Sequence, residues 1–306
     1  MKVSFCTTCM GRLHHLRETL VQNLRDNPSG VDGGPDVEFV VVNYSSPDEM
    51  DGWIKTNSET RAAIDDGRLI YARYDDADHF EHAHAKNMAH RLATGDVLCN
   101  VDADNFTGPH FADLVAARMG PNPEGSFMHA HFGIMNGLPL EERGAFGRIA
   151  LSRRNFMNMG GYDETLGGWG GEDGNLIVRA LAMGLTPLAI DDQKHLRTIA
   201  HDHEERLRYA LAEHKEDALK RIQTAGTTIN FKSLRTKFMQ VTGFIQRNEG
   251  HFGEGKVYEG VYERPRRLAE VENTMRSVRP AFLGAVPYYK LRLTPAPDAG
   301  IKQNKN

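Results

Sequence analysis

Residues 96–105 read Asp-Val-Leu-Cys-Asn-Val-Asp-Ala-Asp-Asn, a short apolar run followed at once by two carboxylates, Asp102 and Asp104. The run Asp96–Val101 is typical of a strand buried in a parallel sheet. Ligands of open α/β sheets bind just beyond the carboxyl ends of the strands. Carboxylates this close disfavour each other's ionised form unless a cation joins them, and their hard oxygens suit Mg²⁺ or Mn²⁺. The stretch predicts a strand that ends at a divalent-metal site; a solvated turn is the alternative.

Strand and helix patterns alternate on both sides of this stretch. Before it, we predict strands over residues 3–6, 37–42 and 68–73 and helices over residues 12–24, from 45–48 onwards and over 83–92. After it, residues 146–190 read as a strand, a short helix, a glycine-rich loop, a helix and a strand. Such alternation is typical of βαβ units. We therefore predict an α/β fold with a mostly parallel sheet flanked by helices.

The composition excludes several classes of protein. Of the 306 residues, 40% are hydrophobic and 25% are charged, which is not the composition of a disordered or collagen-like chain. There is no apolar run of 18 residues, so no integral membrane segment is expected, and the N-terminus turns polar too early for a signal peptide. An odd number of cysteines, three, favours reduced thiols. We accordingly expect a cytoplasmic protein.

The charges are distributed unevenly along the chain. Residues 1–200 contain 18 Lys and Arg against 28 Asp and Glu, whereas residues 201–306 contain 19 against 13. The basic C-terminal third indicates peripheral contact with an acidic lipid surface or polymer, and a solvated face is the alternative. The short basic cluster Arg264–Arg267 has no interleaved aromatic residues, so we expect no nucleic-acid partner.

A second motif, Trp169-Gly170-Gly171-Glu172-Asp173, precedes an apolar helix. The helix dipole favours ionised carboxylates at a helix N-terminus, and a general base must be ionised. Helix capping beside a core Trp is the alternative. The motif ends a glycine-rich loop, residues 160–171, which predicts a mobile segment that closes over a bound ligand.

Together the two motifs resemble a family. Asp102-Ala103-Asp104 followed by Trp169–Asp173 is similar to the pattern of nucleotide-sugar glycosyltransferases of the GT-A fold. Residues 150–173 resemble the C-terminal half of the β-1,4-galactosyltransferase and polypeptide N-acetylgalactosaminyltransferase catalytic domains, and the N-terminal half resembles bacterial family 2 glycosyltransferases. The resemblance implies a GT-A (Rossmann-like) domain over residues 1–205. We expect residues 206–306 to form a helical or irregular extension with a disordered tail from about residue 298.

The resemblance also implies roles for individual residues. The nucleotide-sugar donor would be bound by side chains from several loops, namely Thr7, Thr8, Arg12, Asn43, Ser45, Lys86, Asp102 and Trp169. Asp104 would hold the metal, Mn²⁺ or Mg²⁺, with His201 or else His203. Asp102, also a candidate metal ligand, would contact the ribose or a metal-bound water. Asp173 would be the general base of an inverting transfer, with Glu172 holding the acceptor or the donor sugar.

The implied substrates are a UDP-sugar donor and a saccharide, lipid or protein acceptor. Asn43 departs from the family, in which many members carry Asp at that position. A UDP-sugar-binding protein without transferase activity is therefore the first alternative. A thiol oxidoreductase acting through Cys6 and Cys9 is the second, because a Cys-x-x-Cys pair between a strand and a helix can be redox-active.

Overall fold

The computed structural model describes residues 1–166, 170–224 and 247–271. In these ranges the strands are β1 (Lys2–Cys9), β2 (Asp36–Tyr44), β3 (Leu69–Tyr74), β4 (Val97–Asn100), β5 (Ser126–Ala130), β6 (Ile149–Ser152), β7 (Thr186–Ile190), β8 (Gly255–Glu259) and β9 (Arg264–Leu268). They form one sheet in the order β7-β5-β6-β4-β1-β2-β3-β8-β9. The four central strands are parallel, and β6 and β8 add to them in antiparallel orientation. The carboxyl ends of β4, β1 and β2 consequently lie side by side.

Helices cover both faces of this sheet. They are α1 (Leu13–Asp26), α2 (Met50–Thr56), α3 (Ser58–Asp65), α4 (His82–Leu92), α5 (Phe111–Met119), α6 (Phe132–Gly137), α7 (Arg153–Asn158), α8 (Glu172–Ala182), α9 (His203–Leu207) and α10 (Ala212–Thr224). One core packs α1, α2, α3 and α5 on one face of the sheet, and a second packs α4, α7 and α8 on the other. Because both faces are covered, β2 is apolar throughout its centre. The predicted α/β fold is confirmed.

The strand β1 is longer than the four residues predicted. This changes the interpretation of Cys6 and Cys9 as a possible redox pair. Cys6 and Cys9 both lie within β1, three positions apart, and their side chains enter the two different cores. Side chains of opposite faces cannot form a disulfide across an intact strand. Burial also raises the pKa of the Cys9 thiol to about 12 and that of Cys6 above its usual value. This arrangement contradicts the thiol oxidoreductase alternative.

The C-terminal region differs from the expectation in two ways. The charged segment from Glu204 to about Gln223 predicts a single helix, but the structure has two, α9 and α10, because the chain turns at Tyr209, whose carbonyl accepts a hydrogen bond from the Phe80 N–H (2.8 Å). Residues 255–268 are not irregular but form the hairpin β8–β9, which extends the sheet beside β3. The division near residue 205 stays a prediction, and the tail from residue 298 lies outside the described residues. Among the described residues, no helix is long and apolar enough to cross a membrane.

Candidate active site

The candidate site lies where β1, β2 and β4 end. The loops that follow β1 and β2 are tied together there. The Gly11 N–H donates to Ser46 Oγ (2.7 Å), and the Leu13 N–H donates to Asp48 Oδ2 (2.9 Å). Asp48 thereby satisfies a free N–H group at the start of α1. The two loops form one continuous wall of the site.

Two predicted donor-binding residues of this wall, Asn43 and Ser45, are engaged in the protein's own hydrogen bonds. The Asn43 amide donates to Tyr71 Oη (3.1 Å) and accepts from the Ser46 N–H (2.9 Å). Ser45 Oγ donates to the Tyr74 carbonyl (3.1 Å). Asn43 is 2% exposed, so its side chain shapes the loop after β2. Contact with a nucleotide stays a prediction for both residues.

Thr7 and Thr8 lie near the carboxyl end of β1, and both are buried. Thr7 Oγ1 donates to the carbonyl of Val101, the residue that precedes the carboxylate triplet (2.8 Å). This bond holds the end of β1 against the chain that leaves β4. Thr7 therefore positions the triplet, whether or not it also touches a donor.

Asp104 and His201 form a buried pair beyond β4. Asp104 Oδ2 lies 2.8 Å from His201 Nε2, and Arg12 Nη1 lies 3.2 Å from the same nitrogen. The pair forms because the Ile199 N–H donates to the Asp104 carbonyl (2.8 Å), which brings this distant segment alongside the triplet. Burial raises the pKa of Asp104, but the His201 hydrogen bond and the Arg12 charge outweigh it and hold the pKa below its usual value. A carboxylate oxygen and an imidazole nitrogen this close are suited to sharing one divalent ion.

Asn105 and Arg148 hold Asp104 in place. Asn105 Nδ2 donates to Asp104 Oδ1 (2.8 Å), and Arg148 Nη2 donates to Asn105 Oδ1 (3.0 Å). Arg148 is fully buried, and burial lowers its pKa to about 10, so it is still charged at neutral pH. Neither residue was predicted from the sequence. Asn105 directly follows the triplet and could have been considered, whereas nothing local marks Arg148.

A second cluster surrounds Lys86, which α4 directs toward the N-terminus of α8. Lys86 Nζ lies 2.7 Å from Asp173 Oδ1, 3.0 Å from Glu172 Oε1 and 3.8 Å from Asp102 Oδ1. The lysine is only 4% exposed. The fold thus joins the two sequence motifs through one buried cation, which we call the Lys86 cluster (Lys86, Asp102, Glu172 and Asp173).

The two aspartates of the triplet consequently have different partners. Asp102 Oδ1 accepts from Asn100 Nδ2 (2.9 Å) and faces Lys86, whereas Asp104 faces His201. Among the described residues, no third acid, His or Cys completes a close three-ligand group with Asp104 and His201. A role of Asp102 at the metal, through a bound water, stays a prediction.

Gly147 lies against the Lys86 cluster. A Cβ atom at this position would lie 2.7 Å from Asp173 Oδ2 and 3.0 Å from Asp102 Oδ2. Its carbonyl accepts from Asn100 Nδ2 (3.0 Å). Only glycine permits so close an approach of backbone to the two carboxylates. Gly147 and Asn100 are further residues that the sequence analysis missed.

The Lys86 cluster separates the pKa values of its two neighbouring acids. Burial raises the pKa of Asp173 to about 7, with Lys86 opposing this and the charges of Glu172 and Asp102 adding to it. Burial acts in the same direction on Glu172, but Lys86 and His82 outweigh it and lower its pKa. The pKa of Lys86 is raised, because its three carboxylate neighbours outweigh burial. Adjacent acids with separated pKa values are typical of acid–base sites.

The glycine-rich loop is packed in its first half. Tyr162 is fully buried, and a Cβ at Gly161 would lie 2.3 Å from Asn87 Oδ1. These first glycines therefore serve close packing rather than the mobility predicted for residues 160–171. Trp169 lies outside the described residues, as does the side chain of His203, so the predicted contact of Trp169 with the donor stays a prediction.

The chain is similar to a known protein family over part of its length and to several solved structures. A family model described as the N-terminal domain of galactosyltransferase matches residues 129–204, about a quarter of the chain. No curated protein sequence matches the chain. Among solved structures, the mannosyltransferase PcManGT from Pyrobaculum calidifontis, in complex with GDP-Man and Mn²⁺, is similar with a TM-score of 0.51 and 17% identity over 79% of this chain and 69% of that one. TarS residues 1–349 from S. aureus has a TM-score of 0.49 and 15% identity, over 80% and 74% respectively.

The chain has a GT-A fold. The likeness to the mannosyltransferase is too low in identity to show more than this fold. The family match adds that residues 129–204, which include Glu172, Asp173 and His201, resemble part of a glycosyltransferase. The predicted glycosyltransferase resemblance is confirmed at that level. The subfamily, the donor, the metal and the acceptor of this protein stay predictions.

Proposed function

We propose that this protein is a metal-dependent glycosyltransferase that moves a sugar from a UDP-sugar to an acceptor hydroxyl. The observation that carries the proposal is the Lys86 cluster, which places Asp173, with a pKa of about 7, on the same sheet edge as Asp104 and His201. A base with a pKa near the working pH removes a hydroxyl proton most effectively. Inversion at the sugar carbon, by a single displacement, is part of the proposal.

Asp104 and His201 fit a divalent ion, because a buried carboxylate oxygen and a buried imidazole nitrogen lie 2.8 Å apart, a separation that two ligands of one ion can have. They would hold Mn²⁺ or Mg²⁺, which would supply positive charge to offset the leaving diphosphate. In the proposed reaction Asp173 accepts the acceptor's proton. Lys86 orients the Asp173 carboxylate, and Glu172 holds the acceptor or the donor sugar.

The metal assignment predicts a clear loss in Asp104→Asn. We expect this variant to lose Mn²⁺-dependent UDP binding, measured by calorimetry, because the amide removes the negative charge that would hold the ion. Asp113→Asn is the matched control, since Asp113 also pairs with a histidine, His110 (3.0 Å), but on the surface. Undiminished metal-dependent UDP affinity in Asp104→Asn would show that the ion is held elsewhere.

The base assignment predicts a pH dependence. Asp173 must be ionised to accept a proton, so kcat/KM for transfer is expected to rise with pH through an apparent pKa near 7. The measurement is a pH–rate profile with saturating metal. A profile that is flat from pH 5.5 to 8.5 would contradict Asp173 as the base.

The donor is tested with a thermal-shift panel of UDP-sugars and GDP-sugars in the presence of Mn²⁺. A ligand at 100 times its Kd stabilises the native state by about 2.7 kcal/mol. We expect a UDP-sugar to give the largest shift. A UDP-sugar that binds without any release of UDP, in the presence of an acceptor array, would favour the alternative of a binding protein. The sequence also suggests a finer likeness to the bacterial GT-A protein majastridin, which stays a prediction.

The class of the acceptor stays open. The hairpin β8–β9 offers a surface that an acidic lipid acceptor could contact. Arg264, Arg266 and Arg267 are exposed on the outermost strand of the described sheet. Arg266 pairs with Glu259 (2.8 Å). A basic edge of this kind supports peripheral contact with an acidic lipid surface.

A further inference from the structure

His14, His15 and Glu205 form a cluster of potential metal ligands, which we call the His-His-Glu cluster. His14 Nε2 lies 2.8 Å from Glu205 Oε1, and His15 Nε2 lies 3.6 Å from the same oxygen. One ligand atom from each residue lies within 4.8 Å of the other two. Ligands at about 2.0–2.1 Å from a tetrahedral Zn²⁺ are about 3.3–3.4 Å apart. The two distances from the histidines to Glu205 Oε1, 2.8 Å and 3.6 Å, bracket this value.

The backbone of the cluster is fixed without help from the ligand atoms. The two histidines belong to the first turn of α1, and Glu205 belongs to α9. The Glu205 N–H donates to Asp202 Oδ1 (2.7 Å), and its carbonyl accepts from Arg12 Nη2 (3.3 Å). Glu205 is therefore held over α1 by its main chain, which leaves its carboxylate available for an ion.

The histidines differ in burial, and the difference suits a metal site. The His15 side chain is 7% exposed, and its Nδ1 has no hydrogen-bond partner in the described part of the chain. His15 Nε2 faces Glu205 Oε1 at 3.6 Å, so this nitrogen is the one that would bind an ion, while Nδ1 would keep the ring proton. The His14 side chain is 56% exposed, which provides an entry path for the ion and room for water as a fourth ligand.

We propose that the His-His-Glu cluster binds an ion of the Zn²⁺ class, separate from the ion at Asp104 and His201. The His-His-Glu cluster offers two imidazoles to one carboxylate, whereas Asp104 and His201 offer one of each, and a second imidazole shifts the preference from Mn²⁺ or Mg²⁺ toward Zn²⁺. The ion ties α9 to α1. Because α9 follows His201 directly, the ion also holds His201 against Asp104. The proposal goes beyond the glycosyltransferase function and does not depend on it.

The test uses the full chain, stripped of metal with a chelator and without nucleotide. Zn²⁺ binding is measured by calorimetry, and Co²⁺ is used as a spectroscopic probe of tetrahedral coordination. Loss of a residue that only supports a metal ligand costs about 10–100-fold in metal affinity. Glu205 and His14 are proposed as ligands themselves, so Glu205→Gln and His14→Gln are each expected to lose at least about tenfold in Zn²⁺ affinity. The matched control is His251→Gln, because His251 is an exposed histidine paired with a carboxylate, Glu254 (2.9 Å), away from the cluster.

Asp104→Asn distinguishes the two sites. We expect this variant to keep the Zn²⁺ affinity and the Co²⁺ spectrum of the wild type. Loss of the ion in Asp104→Asn with retention in Glu205→Gln would overturn the proposal, as would the absence of Zn²⁺ binding to the wild type. Matching unfolding midpoints of the metal-free proteins show that the variants fold. Since no nucleotide is present, failure of the glycosyltransferase proposal would leave this result unchanged.

Discussion

Asp173→Asn is expected to lower sugar transfer by at least about 100-fold while leaving donor binding nearly intact. The amide keeps the shape of the carboxylate and its place 2.7 Å from Lys86, but it cannot accept a proton. General-base catalysis typically contributes 100- to 10,000-fold to a rate, so the loss should appear in kcat. The two measurements are UDP release in the presence of an acceptor and calorimetric binding of the donor with Mn²⁺.

A control for Asp173→Asn is Asp192→Asn. Asp192 also begins a helical turn and pairs with a lysine, Lys194 (3.0 Å), but both side chains are exposed. This variant should transfer sugar at the normal rate. Near-normal turnover by Asp173→Asn on a true acceptor would remove Asp173 from the mechanism. An equal fall in donor binding and transfer would indicate a structural role for the carboxylate instead.

The features that could be predicted from the sequence are those encoded locally. The strand β4 is apolar because both its faces are buried, and the residues beyond its end are polar because they meet the ligand edge of the sheet. The same logic applies to Glu172 and Asp173, which begin α8 and mark its N-terminus in the sequence. Period and polarity within ten residues were therefore enough to predict the strand end and the helix start that carry the candidate site.

The features that could not be predicted depend on contacts between distant segments. Nothing near Lys86 indicates that its ammonium will lie among carboxylates 16 to 87 positions away. The approach of Gly147 to Asp173 and the addition of β8 to β3 are likewise consequences of chain topology. The resemblance placed Lys86 near the nucleotide or the diphosphate of the donor, whereas the fold also makes it the shared cation of three carboxylates.

This task makes Lys86→Met the substitution with the largest expected effect on stability. Methionine fills a similar volume but leaves Asp102, Glu172 and Asp173 without their shared cation. Removing one partner of a buried ion pair typically costs about 3–5 kcal/mol, because the remaining charge is left uncompensated. Exposed pairs are worth about 0–1 kcal/mol, so Lys194→Met, which removes the partner of Asp192, is the matched control. Denaturant unfolding at pH 8 measures both free energies.

The pH dependence of the stability lost in Lys86→Met tests whether missing charge causes that loss. The pKa of Asp173 is raised in the folded protein, so the native state binds a proton more tightly than the unfolded chain. The free energy of unfolding contributed by this group therefore falls as the pH rises from about 4 to 7, and removing Lys86 raises the folded pKa further. We expect the stability gap between the wild type and Lys86→Met to be smaller at pH 5, where protonation relieves the repulsion, than at pH 8. A gap that is equal at both pH values would show that lost packing, rather than lost charge, destabilises the variant.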